Sequence, residues 1–538
     1  MPSSWRAILT LAHFIPMSAD PCLLRAPPFP GRDAAVSYPA IEQQAAGDPA
    51  PAAIEPLFAA IREARVGGDF WKKPGERHPV IARIRSAGDA KLVPDAAIVG
   101  DVDPWSVLGA GTTLIAHSDD EWVAIAAIAG STVRLFPDMA RPDPAMLSQR
   151  VARDLTSVRY RDPFIGTDAL IEATIDLLAD WRRTIEANRA IVAGCGFSWW
   201  KRREIARFLW SPRNRLRFFR SEGRAITYAA RQGGAVAVWP SRIAAAMPKR
   251  AAEKNVPVVR VEDGFVRSVG LGSNLVPPSS VAVDRRGIHY DPSTPSDLET
   301  LLAEGVFPPA LLARAERLRA TILAAGISKY GSGGAHLFPE RAAGRRLVLV
   351  AGQVEDDMSV LLGGGGLSSN LELVRRARAI EPSAEIWFRP HPDVEAGHRK
   401  GAVRDADALQ FADRIVRGGG MASLLDEVDA VHVLTSLTGF EALLRNREVT
   451  CHGTPFFAGW GLTRDLAPVP DRRGRQLTIA ELVAAVLILY PRYLDPVTGL
   501  PCPPEILVGR MGEGATANRL DWVSRLKRVQ GQLVRKRR

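Results

Sequence analysis

Cysteine is scarce in this chain: four occur in 538 residues, Cys22, Cys195, Cys451 and Cys502, and no two form a C-x-x-C pair. The scatter argues against a thiolate zinc site and supplies no disulfide framework for so long a chain, which fits a reducing cytoplasm. No run of about 18 uncharged apolar residues is present, so no transmembrane helix is expected. A secretory leader is not expected either, because His13 and Pro16 interrupt the short apolar stretch that follows Arg6. Aromatic residues make up only 7% and do not interleave with the basic ones. With no recognition motif besides, nucleic acid is not an expected partner. Acidic residues are the minority charge, 59 against 70 basic, giving a formal +11. That surplus favours anionic partners such as nucleotides or lipid headgroups, although an arginine-rich composition from a GC-rich genome would give the same number.

The hydrophobic fraction, 46%, is ordinary for a globular protein, and the length calls for about two to four domains. Residues 1–68 are rich in Pro and Ala with weak periodicity and read as poorly ordered, apart from a helix around 54–61. Residues 69–189 read as a degenerate Rossmann-like half-module, because three pieces echo later ones in the same order. Arg77-His-Pro79 echoes Arg389-Pro-His-Pro392, Thr113-Leu-Ile-Ala-His-Ser118 echoes Val431-His-Val-Leu-Thr-Ser436, and Tyr160-Arg-Asp-Pro163 echoes Tyr493-Leu-Asp-Pro496. The first copy has no counterpart of 353–359, and Asp119-Asp-Glu121 stands where the later copy has Leu437-Thr-Gly439. It reads as structural rather than catalytic. From Ile191 a βα rhythm begins, with strands at Ala235-Val-Ala-Val-Trp239, Val256-Pro-Val-Val-Arg260 and Val281-Ala-Val283 and helices expected over 201–210, 241–254 and 296–325. This defines a first Rossmann-like domain, 190–345. A second, 346–510, closes with a helix over 477–490, and a basic tail, 511–538, follows. The expected fold class is α/β: two Rossmann-like domains facing a cleft, the GT-B-like arrangement of many nucleotide-sugar glycosyltransferases, preceded by the half-module.

Four polar loops follow short buried runs. They are Gln353-Val-Glu-Asp-Asp-Met-Ser359, Arg389-Pro-His-Pro-Asp393, Thr435-Ser-Leu-Thr-Gly-Phe-Glu441 and His452-Gly-Thr-Pro-Phe-Phe-Ala-Gly-Trp-Gly461. Loops at the carboxyl ends of successive strands build the ligand crevice of an open α/β sheet, and this crevice reads as a nucleotide-sugar site. Thr435, Ser436 and Thr438 offer hydroxyls, Gly439 permits close approach, and the helix start offers N–H groups to a phosphate; a plain N-cap by Ser436 or Thr438 is the alternative. Arg389 and His391 stand on a loop stiffened by prolines, so the imidazole is held where it can donate to a phosphate or a leaving oxygen; a turn with a surface histidine is the alternative. Glu355, Asp356 and Asp357 repel one another. One could be a metal ligand, a base or a nucleophile, or the row could cap the following helix. In the first domain Glu262 and Asp263, at a strand end, are candidates for a base or an acceptor-binding group. Arg267 could pair with them or with an anionic substrate, and Ser328 and Lys329 could reach the cleft from the side.

Together these residues resemble the capsule polysaccharide biosynthesis family, specifically its β-Kdo transferases (Kdo is 3-deoxy-D-manno-oct-2-ulosonic acid). The resemblance covers about residues 190–500. It rests on Glu262-Asp-Gly-Phe-Val-Arg-Ser-Val-Gly-Leu-Gly272, Gly287-Ile-His-Tyr-Asp291, Ser328-Lys-Tyr330, Gly352-Gln-Val-Glu-Asp-Asp357, His391-Pro-Asp-Val394, Thr435-Ser-Leu-Thr-Gly-Phe-Glu-Ala-Leu443 and Gly453-Thr-Pro-Phe-Phe-Ala-Gly-Trp-Gly-Leu-Thr463. It implies a GT-B enzyme that takes CMP-Kdo as donor substrate and adds β-linked Kdo, with retention, to a Kdo-containing glycolipid linker of a capsular polysaccharide. It implies Asp357 as nucleophile, His391 and the Thr435-Ser436 loop as holders of the CMP phosphate, and Glu262 or Asp263 as acceptor base. Arg267, Ser328, Lys329, Gln353, Arg389, Thr438, Gly439 and Glu441 complete the expected substrate-binding set. The first domain would be the acceptor side and the second the CMP-sugar side. No cofactor or metal is expected, since a leaving group with one phosphate can be served by cationic side chains and a helix N-terminus. The implied setting is cytoplasmic, peripheral at the inner membrane, beside capsule assembly proteins. A single complete module implies one Kdo added rather than two alternating linkages. A non-catalytic assembly or export factor on the same fold is the alternative.

Overall fold

The computed structural model describes residues 22–38, 49–212, 215–266, 277–328, 331–332, 338–397 and 399–513. The chain forms two compact units, Met1–Arg189 with Leu209–Arg215 and Ala190–Phe208 with Leu216–Arg538. Both are mixed α/β structures with parallel sheet.

The strands of the first unit are β1 (Ser37–Tyr38), β2 (Val80–Ala82), β3 (Ala97–Ile98), β4 (Thr113–Ala116), β5 (Thr132–Leu135) and β6 (Arg159–Tyr160). β2 to β5 form a parallel sheet in the order β3-β2-β4-β5. The expectation that 1–68 is poorly ordered fails for its described part. Leu24, Phe29 and Val36 are buried, Arg25 pairs with Asp69 and Glu121, each at 2.6 Å, and β1 pairs with β6. The helix Pro51–Ala64 is longer than periodicity suggested. Proline-rich composition hid these anchors because each is a single side chain or a two-residue strand reaching a distant partner. Residues 1–21 and 39–48 lie outside the described residues.

In the second unit the strands are β7 (Ile191–Cys195), β8 (Arg217–Phe219), β9 (Ala235–Val238), β10 (Val258–Asp263), β11 (Ser280–Asp284), the short pair β12 (Ile327–Ser328) and β13 (Gly331–Ser332), β14 (Leu347–Ala351), β15 (Glu385–Arg389), β16 (Arg414–Ile415), β17 (Ala430–Val433), β18 (Glu448–Cys451), β19 (Arg464–Asp465), β20 (Pro491–Leu494) and β21 (Pro501–Cys502). One sheet, β16-β15-β14-β17-β18-β19, is parallel throughout. Its central strands are buried along their whole length, which is why they read as continuous apolar runs rather than alternating ones. The other sheet runs parallel over β8-β7-β9-β10 and is continued antiparallel by β11, β20 and β21.

That last feature corrects the reading of 346–510 as one lobe. After the second sheet is complete, the chain returns and β20 pairs with β11, while the Tyr490 hydroxyl donates to Asp284 at 2.8 Å. β11 is a fully buried strand, and its outer edge needs a partner. Helix limits also differ. The expected 296–325 helix is two, Asp297–Glu304 and Pro309–Ala324, parted around Pro308. Residues 241–254 hold only Pro240–Arg242 and Met247–Ala252. The closing helix is Ile479–Val483, which widens into π-type turns over Ala484–Leu489. Of the expected basic tail, residues 514–538 lie outside the described residues.

The two units share a pattern. The order β3-β2-β4-β5 repeats β15-β14-β17-β18. The Asp162-Pro163 and Asp495-Pro496 turns make the same bonds. The Asp162 N–H donates to the Thr167 carbonyl at 2.9 Å, and that of Asp495 to the Leu500 carbonyl at 3.0 Å. Gly166 donates to the Asp162 carbonyl and Gly499 to that of Asp495, both glycines in the left-handed region. Arg77-His-Pro79, however, precedes β2, whereas Arg389-Pro-His-Pro392 follows β15, so that echo marks no equivalent position.

Candidate functional site

Within the second unit, strand-end loops of both sheets line one cavity of about 680 Å³. The three adjacent carboxylates resolve into three different fates. Glu355 accepts from the Asn370 N–H at 2.8 Å, at the start of the helix Asn370–Ile380. Asp356 pairs with Arg399 at 3.0 Å. Asp357 lines the cavity as N-cap of the helix Met358–Gly363, its Oδ2 accepting from the Ser359 N–H (3.2 Å) and hydroxyl (2.7 Å). One oxygen is thus pinned by the cap and the carboxylate is oriented by backbone rather than by a long flexible chain.

Across the cavity stand Glu262 and Asp263, the last two residues of β10. The Asp263 N–H donates to Glu262 Oε1 at 3.0 Å, and Asp263 pairs with Lys201 Nζ at 3.0 Å. Burial, together with the charges of Asp263 and Asp357, pushes the Glu262 carboxyl up to about 7, against the opposing pull of Lys201 and the Asp263 N–H. Tyr290 also lines the cavity. Among the described residues its buried hydroxyl has no hydrogen-bond partner, and burial beside Glu262 and Asp357 holds its ionisation well above the usual range.

The phosphate-holding candidates converge on the same cavity. His391 accepts from the Asp393 N–H at Nδ1 (3.1 Å), which leaves the proton of a neutral ring on Nε2. The Ser436 and Thr438 hydroxyls bond each other at 3.1 Å, so one of their two protons remains for a ligand. Ser436 also accepts from the Thr438 N–H at 3.3 Å, the capping alternative realised in part. Glu441 lines the cavity from the helix Thr438–Leu444.

Other expected contacts are committed elsewhere. Gln353 reaches the cavity wall, but both ends of its amide serve Thr435, donating to Oγ1 at 3.0 Å and accepting from N–H at 3.1 Å. It clamps two loops together. Arg389 gives its terminal nitrogens to the Gly418 and Gly419 carbonyls, and its buried Nε has no partner among the described residues. Burial lowers its ionisation below the usual arginine value. Gly439 is not at the cavity: a Cβ there would lie 2.6 Å from Phe457 Cζ, so its smallness serves helix packing, not ligand approach. Arg267 and Lys329 lie outside the described residues, and Ser328 is described only through the backbone pairing of β12 with β13.

Lys201, Trp239, Tyr290, Ser359 and Arg399 also line the cavity and were not singled out from the sequence. The crevice rule would have found two of them had it been applied to every strand of the first sheet, since Lys201 and Trp239 follow β7 and β9. Among the described residues no group of three or more His, Cys, Asp or Glu is placed to hold a metal, and no helix is long and apolar enough to cross a membrane.

The sequence profile of capsule polysaccharide biosynthesis proteins matches residues 234–338 and 334–493, the stretch that supplies most of the cavity. The Thermosulfurimonas dismutans KpsC β Kdo 2,7 transferase superposes with a TM-score of 0.51 at 32% identity, covering 61% of this chain and all of that one. The chain belongs to the capsule polysaccharide biosynthesis family. The β Kdo 2,4 transferase of the same KpsC gives a TM-score of 0.51 at 33% identity, covering 60% of this chain and 98% of that one. Among relatives in this family, the capsule polysaccharide modification protein LipA of Neisseria meningitidis serogroup B is 38% identical over 365 residues, 68% of this chain and 51% of LipA. The lipopolysaccharide-processing protein LpsZ of Rhizobium meliloti is 48% identical over 246 residues, 45% of this chain and 56% of LpsZ. The chain therefore spans about half the length of these relatives.

Proposed function

We propose that this chain is a retaining glycosyltransferase of GT-B-like architecture that moves β-Kdo from CMP-Kdo to a Kdo-containing glycolipid linker during capsular polysaccharide biosynthesis. It works without a cofactor in the cytoplasm, peripheral at the inner membrane and beside capsule assembly proteins. The observation that carries the reading is the convergence on one cavity of an oriented carboxylate, Asp357, and a buried carboxyl, Glu262, whose ionisation is raised by burial and by the charges of Asp263 and Asp357. Likeness to the two KpsC Kdo transferases supports the same assignment.

In the first step an Asp357 oxygen attacks the anomeric carbon as its bond to the phosphate breaks, and CMP departs with the electron pair. His391 Nε2–H and a hydroxyl of the Ser436–Thr438 pair stabilise the charge on the leaving phosphate. In the second, Glu262 takes the proton of the acceptor hydroxyl, whose oxygen displaces Asp357. Two inversions give net retention. Burial and the neighbouring carboxylates raise the affinity of Glu262 for a proton, which suits it to accept that one.

The test is CMP release from CMP-Kdo with a Kdo-terminated glycolipid. Asp357→Asn is expected to lower it at least about a thousandfold. Glu262→Gln, slowed in the second step, is expected to accumulate one Kdo on the peptide spanning 353–359, read by mass spectrometry. A wild-type protein that releases no CMP with any such acceptor would sink the proposal.

A further inference from the structure

We propose, resting on the transferase reading, that Lys201 is a positioning residue for the acceptor-side base: its ammonium, seated between the Trp239 ring and Asp263, keeps Asp263 as the ionised member of the Glu262–Asp263 pair and leaves Glu262 to exchange the acceptor's proton. Lys201 stands at the cavity wall directly before the helix Arg202–Phe208 and is 8% exposed. Its Nζ lies 3.5 Å from the Trp239 ring centroid and 3.0 Å from Asp263 Oδ1. An ammonium so far out of water is retained only where opposing charge and an aromatic face replace its hydration.

Among the described residues, the groups facing Glu262 come from four places. Asp263 follows it on β10, Lys201 comes from the segment after β7, Asp357 from the loop after β14, and Tyr290 from the segment after β11. Three of these are acidic groups and one is a cation. Two adjacent carboxylates with a third nearby cannot all ionise cheaply. The cation bonds directly to Asp263 and not to Glu262, so it divides the pair: Asp263 is held charged, while Glu262 feels Lys201 only through space. Remove the ammonium, and the negative field around Glu262 loses an opposing charge, so the pair takes its first proton at higher pH.

The experiment is a carboxyl NMR titration of protein carrying ¹³C-labelled glutamate, the Glu262 signal being assigned by its loss in Glu262→Gln. Lys201→Met is expected to raise the Glu262 midpoint by about one pH unit, tenfold in proton affinity, and to carry the acid limb of kcat/KM upward with it. Lys201→Arg, which keeps the charge on a larger planar group against Trp239, is expected to shift the midpoint less than Lys201→Met does. Asp263→Asn is expected to lower it, because Lys201 then acts unopposed. A midpoint unmoved in Lys201→Met overturns the inference, and should that variant fail to fold, a midpoint unmoved in Asp263→Asn does the same. The titration needs no turnover. Absence of CMP release by wild type would remove the transferase reading while the NMR result still decides the role of Lys201, and transfer with an unshifted acid limb in Lys201→Met would remove the inference alone.

Discussion

Whether a polar residue on a strand-end loop serves a ligand or the protein is decided by who its hydrogen-bond partner is, and Gly439, Gln353 and Arg389 show this at the scale of one residue. Gly439 sits in a helix whose start faces the cavity, yet the space its missing Cβ leaves is filled by Phe457. Gly439→Ala is expected to cost about 1–3 kcal/mol of stability through overpacking, read by urea unfolding, with KM for CMP-Kdo changed less than about twofold. A large rise in KM at unchanged stability would restore the ligand role. That the row 355–357 would divide was legible, because three adjacent carboxylates after a buried strand demand separate fates. Which one faces the cavity was not legible from the residues themselves, since that depends on Arg399 and Asn370, each more than a dozen residues away; only the family resemblance singled out Asp357. Gln353 and Arg389 have the right chemistry in the right loops, and nothing local to them reveals that Thr435 and the Gly418–Gly419 carbonyls already use it.

At the scale of elements, β14, β15 and β17 were legible as strands because parallel, doubly covered strands are apolar along their length. The return of β20 to the first sheet was not, since pairing partners leave no mark in a single strand's pattern. The pair β17 and β18 carries a further consequence. His432 and His452 hydrogen-bond ring to ring at 3.0 Å in the sheet interior. Burial first, then neighbouring cationic groups, lower their ionisation to about 3 and about 4. Both folded values lie below the ordinary 6.5, so the unfolded chain binds protons that the folded one refuses. The stabilisation is therefore complete above about pH 6.5 and is lost as pH falls from there toward 4, at up to about 1.4 kcal/mol per pH unit for each ring. Urea midpoints at pH 7 and pH 5 are expected to differ accordingly, and a His432→Gln/His452→Gln double variant is expected to lose much of that difference. Equal pH sensitivity in the two proteins would assign the acid instability elsewhere.

For the whole molecule, the first unit repeats the strand order and the Asp-Pro turn of the second, as an internal duplication would. Its strand-end loops are filled by their own charges. Arg83 and Asp120 form an ion pair with both side chains under a tenth exposed, Arg85 pairs with Asp119 at 2.8 Å, and His117 meets Asp89 at 3.1 Å. At the head of the helix Ala87–Leu92, where the second unit places Asp357, the N-cap is Ser86. A hydroxyl in a capping box cannot do the work of an ionised nucleophile, and paired arginines have no charge to spare for a phosphate. On the proposed function, one CMP site per chain is therefore expected. Calorimetric titration with CMP is expected to give a stoichiometry near one, reduced strongly in His391→Ala/Ser436→Ala and unchanged in Arg83→Met. Arg83→Met should instead destabilise the first unit by about 3–5 kcal/mol, because it strands Asp120 in a buried setting. Two equivalents of bound CMP, with one lost in Arg83→Met, would show that the first unit still binds nucleotide.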